Sequence, residues 1–173
     1  MEEMLDVFDV KGNFLGVQPR NCCHGQNVGF YHKHVWIWIV NSEGKILLQK
    51  RAKTKKNNPG KYDMPSAGHV ATGESYLSAC VRETSEELGV NVNENDFELL
   101  KEFIKQKSWG FVRVYLLRKD IDVEKIDLQI EEVESVEWVS YDEFVKLLFS
   151  DKFSDHTQDY KEWICEKMKE YSK

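Results

Sequence analysis

The sequence predicts a single mixed α/β domain, and three observations carry that prediction. The chain has 173 residues, 41% of them hydrophobic and 31% charged. That is enough for one substantial core and too little for two ordinary domains. Several short runs are rich in β-branched and aromatic side chains and bounded by turn residues, the pattern of strands. Two longer segments instead repeat their apolar residues at helical spacing.

Taken in order, residues 5–10 and 14–18 read as strands joined at Lys11-Gly12-Asn13, a hairpin signal. An irregular stretch holding Cys22, Cys23, His24 and Gly29 follows. Residues 34–40 and 45–49 form a second hairpin around Asn41-Ser42-Glu43-Gly44, expected to be buried on both faces. Residues 50–61 make a basic loop. From 74 to 88 the period becomes helical: Leu77, Val81, Thr84 and Leu88 form one largely apolar stripe, and Gly89 ends the helix. Strands at 97–104, 111–117 and 133–139 and helices at 141–149 and 158–171 complete the chain. The last helix carries Tyr160, Trp163, Ile164 and Met168 on one side. With no repeat, linker or low-complexity segment, residues 1–173 read as one domain, in which 1–30 is an N-terminal hairpin and irregular segment and 150–173 a C-terminal helix.

The totals narrow the function. A formal net charge of -6, from 24 basic and 30 acidic residues, argues against nucleic-acid binding, which needs a basic face. Such a protein still binds phosphates if metal ions supply the positive charge. The apolar run 35–40 stops at Asn41 and is far too short to cross a bilayer. The start Met1-Glu2-Glu3-Met4 is acidic where a signal peptide is basic. A cytoplasmic protein without a membrane partner is therefore expected. The four cysteines are too scattered for a disulfide framework, and Cys22-Cys23-His24 has no second pair with which to make a structural zinc site.

The chemistry concentrates at 68–90. Glu83, Glu86 and Glu87 lie at i, i+3 and i+4, within an arc of roughly 100° on a helix, on the face expected to oppose the apolar stripe. Like charges at that spacing repel, so they need solvent or a cation, and Mg2+ is commonly held by a few carboxylates plus substrate phosphates. Taken alone, three such glutamates are most simply a solvated acidic face.

The surrounding residues change that reading. The segment fits Gly-x5-Glu-x7-Arg-Glu-U-x-Glu-Glu-x-Gly-U, with U apolar, through Gly68, Glu74, Arg82, Glu83, Glu86, Glu87, Gly89 and Val90. It resembles the signature of the Nudix hydrolases. Thr84 at the first U position is the one departure, and its methyl can still pack on the core. The resemblance implies the Nudix fold, a mixed β-sheet sandwiched between helices (α/β, or α+β). It also implies a pyrophosphohydrolase that uses Mg2+ or Mn2+ to cleave a diphosphate linkage in a small nucleoside-diphosphate-X or other organic diphosphate. By that resemblance Glu83, Glu86, Glu87 and the Gly68 carbonyl ligate the metal, Arg82 orients the glutamates, and Glu74 fixes Arg82. Either Glu83 or a later carboxylate takes the proton from water, and Glu132, in Glu131-Glu132-Val133, is the later residue chosen. Dimers are common in the family, so a homodimer is a further expectation.

Asn41-Ser42-Glu43-Gly44, Lys50-Arg51-Ala52, Pro59-Gly60-Lys61-Tyr62 and Ala67-Gly68-His69 are similar to the isopentenyl-diphosphate isomerase branch and its hydrolase relatives. Isomerase activity is the runner-up, and three features oppose it. Ala67 stands where the isomerases carry a catalytic cysteine. The run from Trp109 to Tyr115 lacks the two glutamates that join their metal-binding histidines, here His24, His32 and His69. The chain also keeps all three hydrolase glutamates. A non-catalytic nucleotide sensor is a third possibility, and it is opposed by the intact glutamates and the lack of room for a DNA-binding domain.

Substrate contacts are expected from Arg51 and Lys61, which flank the basic loop, from His69 beside Gly68, and from Trp109 as an aromatic wall. Trp36 and Trp38 are expected in the core. His32 and His34, on one strand, are expected to face opposite sides.

Overall fold

The structure is a computed structural model describing residues 2–25, 28–106 and 109–172. A separate hairpin, β1 (Met4–Phe8) with β2 (Phe14–Pro19), opens the chain. The main sheet follows: β3 (His32–Val40), β4 (Ile46–Arg51), β5 (Tyr62–Asp63), β6 (Ser66–His69), β7 (Phe97–Lys105), β8 (Gly110–Arg118) and β9 (Val133–Val139). Three helices accompany it, α1 (Tyr76–Leu88), α2 (Tyr141–Leu148) and α3 (Gln158–Tyr171).

The main sheet runs β5-β4-β3-β8-β7, with β6 also paired to β3 and β9 to β4. β3 and β8 are parallel and the remaining pairs antiparallel, so the sheet is mixed. β3 occupies the middle because both of its faces are apolar. Trp36, Trp38 and Val40 pack with Phe144, Leu148, Tyr160, Ile164 and Met168 from α2 and α3. Val35, Ile37 and Ile39 pack with Ala79, Cys80 and Leu88 from α1. Alternation along a strand sends successive residues to opposite faces, and both faces are covered, which makes the predicted sandwich. The buried indole of Trp38 donates to the Tyr160 hydroxyl at 2.9 Å, which meets the polar requirement of a tryptophan inside a core.

Two local expectations are corrected. His32 and His34 lie on the same face, their ring centroids 4.3 Å apart, because residues two apart on a strand share a side. On α1, Glu83 and Glu87 are buried and lie beside the packed face, not opposite it; Glu86 alone of the three is exposed. The cause is the short strand β6, which lies across the helix and covers one flank of it. Strands β5 and β6 are not among the elements expected from sequence, because runs of two and four residues carry no period to detect.

Candidate active site

The site is built on α1 and closed by β6. Ser75 caps the start of α1: its hydroxyl accepts from the Ser78 amide and Ser78 reciprocates, satisfying donors that a helix start otherwise leaves unpaired. Gly89 ends α1 in the left-handed conformation, at φ 63°, where a side chain would be strained. Between these caps Glu83 and Glu87 stand one turn apart and point at β6. The Ala67 amide donates to Glu87 Oε2 at 3.2 Å. Gly68 lies directly on the Glu83 carboxylate, where a Cβ at position 68 would overlap it.

Arg82 ties this arrangement together. Its guanidinium donates to both Glu74 carboxylate oxygens at 3.0 and 2.9 Å, to Glu83 at 2.8 Å, to Glu86 at 3.2 Å and to the His69 carbonyl at 2.8 Å. One planar fork thus joins the helix, the loop before it and β6, a task suited to arginine geometry. Glu74 also accepts from the Ala71 amide at 3.0 Å.

The charge in this small volume is unbalanced. Glu83 and Glu87 are only 9% and 7% exposed. Burial holds both carboxyls above the ordinary range, with Arg82 partly opposing the effect at Glu83. Glu87 is pushed up to about 8, by burial first and by the charge of Glu83 next. Among the described residues Glu87 has no cationic partner. Buried carboxylates crowded in this way are stabilised by a cation, and an all-oxygen donor set suits a hard divalent ion.

A cleft of about 380 Å3 opens over these groups, with Gly68, His69, Arg82, Glu83, Glu86, Glu87 and Glu132 in its wall. Seven of the residues singled out from sequence therefore meet in one place. Glu132 stands close enough for its charge to act on Glu87, and it is ion-paired to Lys55. Arg51 lines the adjoining basic stretch of the groove, with its Nε on the Asn57 carbonyl at 3.2 Å. Two others stand elsewhere. Lys61 pairs with Asp155 at 3.0 Å. Trp109 packs on Tyr31, ring centroids 5.3 Å apart, while its carbonyl accepts from the His32 amide at 2.9 Å. Neither lines the cleft.

Arg20, Gln129 and Glu3 also line the cleft and were not singled out from sequence. Glu3, just before β1, and Arg20, just after β2, pair at 2.7 Å, and Gln129 reaches the site from an irregular segment whose backbone bonds the Glu87 carbonyl at 3.2 Å. None belongs to a periodic pattern. Only long-range packing places them.

Beside the cleft four histidines gather. Ring nitrogens of His24, His32 and His69 lie within 4.8 Å of one another, and His34 stacks near His32 and His69 at 4.3 and 4.7 Å between centroids. Burial lowers the affinity of all four rings for a proton, taking His32 to about 4. Among the described residues, both ring nitrogens of His32 and His69 lack hydrogen-bond partners, so the cluster has the donors for a metal of the imidazole-binding kind. The carboxylates that the isomerase resemblance would require are missing, since β8 reads GFVRVYLLR.

The NUDIX domain family model matches residues 30–164. Over 159 residues the chain is 34% identical to Nudix hydrolase 3 of Arabidopsis thaliana, a match that spans 85% of this chain but only 20% of that longer protein. It is 32% identical to an uncharacterized Nudix hydrolase of Clostridium acetobutylicum, across 85% of this chain and 74% of the relative. An isopentenyl-diphosphate Delta-isomerase of Serratia proteamaculans is 38% identical over 89 residues, about half of each chain. A crystal structure from Deinococcus radiodurans superposes with a TM-score of 0.74 over 99% of this chain and all of that one, at 20% identity, a likeness of fold. The chain belongs to the Nudix family, and it is a Nudix-type hydrolase acting on diphosphate linkages. No helix among the described residues is long and apolar enough to cross a membrane.

Proposed function

We propose that the chain hydrolyses the diphosphate linkage of a small organic diphosphate with Mg2+ or Mn2+ bound at Glu83, Glu86, Glu87 and the Gly68 carbonyl. One observation carries this reading: two carboxylates, Glu83 and Glu87, are buried side by side in a cleft where the Arg82 guanidinium is shared among five acceptors. When bound there, divalent ions neutralise phosphate oxygens and lower the pKa of an attacking water.

The protein's own groups do the rest. Arg82, held by Glu74, keeps Glu83 and Glu86 in register. Glu132, across the cleft from Glu87, accepts the proton of the attacking water, with Glu83 as the alternative base. Lys55, paired with Glu132, and Arg51 meet the phosphate oxygens of the bound diphosphate, and His69 contacts it from β6. Isomerisation is not supported by these residues: Ala67 sits beneath Glu87 and has no proton to move.

The test is phosphate release from a panel of nucleoside diphosphates, nucleotide sugars, and thiamine and isopentenyl diphosphates, with a phosphatase added to reveal monoester products. Turnover that requires Mg2+ or Mn2+ and drops at least about 100-fold in Glu87→Gln supports the proposal. Ligand-induced stabilisation without any hydrolysis would favour a sensor instead.

A further inference from the structure

The groove does not end at the glutamates. The cleft shares Arg20, His69 and Glu132 with a basic stretch of about 480 Å3. That stretch shares Arg51, Lys56 and Asn57 with a third chamber of about 460 Å3, in the size range of small-molecule sites. The chamber lies on the Trp36 side of the sheet, between β5, the end of β7 and the segment before α3.

Most of its charges are already matched. Asp63 receives His156 Nε2 at 3.1 Å and faces Arg51 at 3.7 Å. Although burial alone would raise its carboxyl, these partners hold it below the ordinary range. Asp155 is engaged by Lys61. Lys56 and Lys105, by contrast, have no carboxylate partner among the described residues. Lys105 is the telling one. It is partly buried, with its ammonium 5.0 Å from the centre of the Trp36 ring, and burial lowers its affinity for a proton, with the charge of Asp63 partly opposing the effect. A cation–π contact offsets only part of the loss of water around an ammonium. A bound anion would supply the rest, and the ammonium groups of Lys56 and Lys105 suit the nearly two negative charges of a phosphate monoester.

We propose that the chamber binds a phosphate monoester carried by the X group, with Lys105 as its central contact and Lys56 at its rim. The substrate is then an organic diphosphate that carries a further phosphate remote from the scissile linkage. This rests on the reading that the diphosphate lies at the glutamates, but its test does not.

With EDTA present, so that no metal and no turnover contribute, the thermal unfolding midpoint is followed against inorganic phosphate at constant ionic strength. A saturable rise is expected in the wild-type protein. Lys105→Met should raise the half-saturating phosphate concentration at least about fivefold, and Lys105→Arg, which keeps the charge, should stay within about twofold. No saturable rise in the wild type, or an unchanged titration in Lys105→Met, overturns the proposal. Wild-type crystals soaked in tungstate give a second measurement that needs no variant: a heavy-atom peak against Lys105 Nζ is expected, and peaks only elsewhere overturn it. Failure here leaves metal-dependent hydrolysis standing, and failure of hydrolysis leaves the phosphate titration standing.

Discussion

Gly68 lies so close to the Glu83 carboxylate that no Cβ fits between them. The position tolerates only glycine for a packing reason, independent of backbone angle. Gly68→Ala must displace either β6 or the Glu83 side chain, and a shift of about an ångström at such a site costs about 100-fold in rate. Steady-state kinetics should show that loss in kcat/KM while the far-UV circular dichroism is unchanged. A fully active Gly68→Ala would mean that the Glu83 carboxylate is not needed where it stands.

Arg82 serves acceptors on Glu74, Glu83, Glu86 and the His69 backbone at once. A lysine retains the charge but cannot span this set. Residues that orient metal ligands typically affect metal affinity by about 10- to 100-fold. Calorimetric titration of Arg82→Lys with Mn2+ should show weakening of at least about tenfold. Affinity equal to wild type would assign Arg82 to fold stability alone.

The pH dependence of the metal-free protein follows from Glu87. Its folded pKa, about 8, lies above the ordinary value of 4.5, so the folded state binds a proton that the unfolded chain releases. Stability is therefore fully present below about pH 4.5 and is lost as pH rises through about 8. Denaturant midpoints in EDTA should fall between pH 5 and 8 (roughly the window between the two pKa values), and Glu87→Gln should flatten that fall. Saturating Mg2+ or Mn2+ should also remove it, because the ion stabilises the ionised carboxylates. A midpoint that rises over this window in EDTA would contradict the assignment.

Thr84 departs from the family pattern and is fully buried, with a hydroxyl that has no hydrogen-bond partner among the described residues. An unpaired buried hydroxyl costs about 1–3 kcal/mol. Thr84→Val keeps the shape and removes that cost, so chemical denaturation should show stabilisation of about 1 kcal/mol with unchanged turnover. Destabilisation would show that the hydroxyl is paired in solution.

Sequence reasoning went furthest where the deciding interactions are local. The α1 stop at Gly89, the two-faced burial of Val35 to Val40, and the apolar side of α3 all follow from spacing within one element. The box from Gly68 to Val90 was legible for the same reason, since its glutamates are neighbours on a single helix. The substrate side was less legible. Arg51 and Lys61 flank one loop and are bonded through their backbones, yet one side chain turns to the groove and the other to Asp155. Trp109 packs on Tyr31, away from the glutamate cleft, because its backbone adopts φ 53° just before β8.

By itself, then, the sequence determined the mixed α/β class and the carboxylate helix, because helical and strand periods are properties of consecutive residues, and the family through the resemblance of the segment from Gly68 to Val90 to a known signature. Tertiary structure alone decided that β6 buries Glu83 and Glu87, that Arg20 and Gln129 reach the cleft, and that Lys105 stands over Trp36 in a separate chamber. Burial and charge pairing there depend on residues far apart in the chain, which come together only when strands and helices pack.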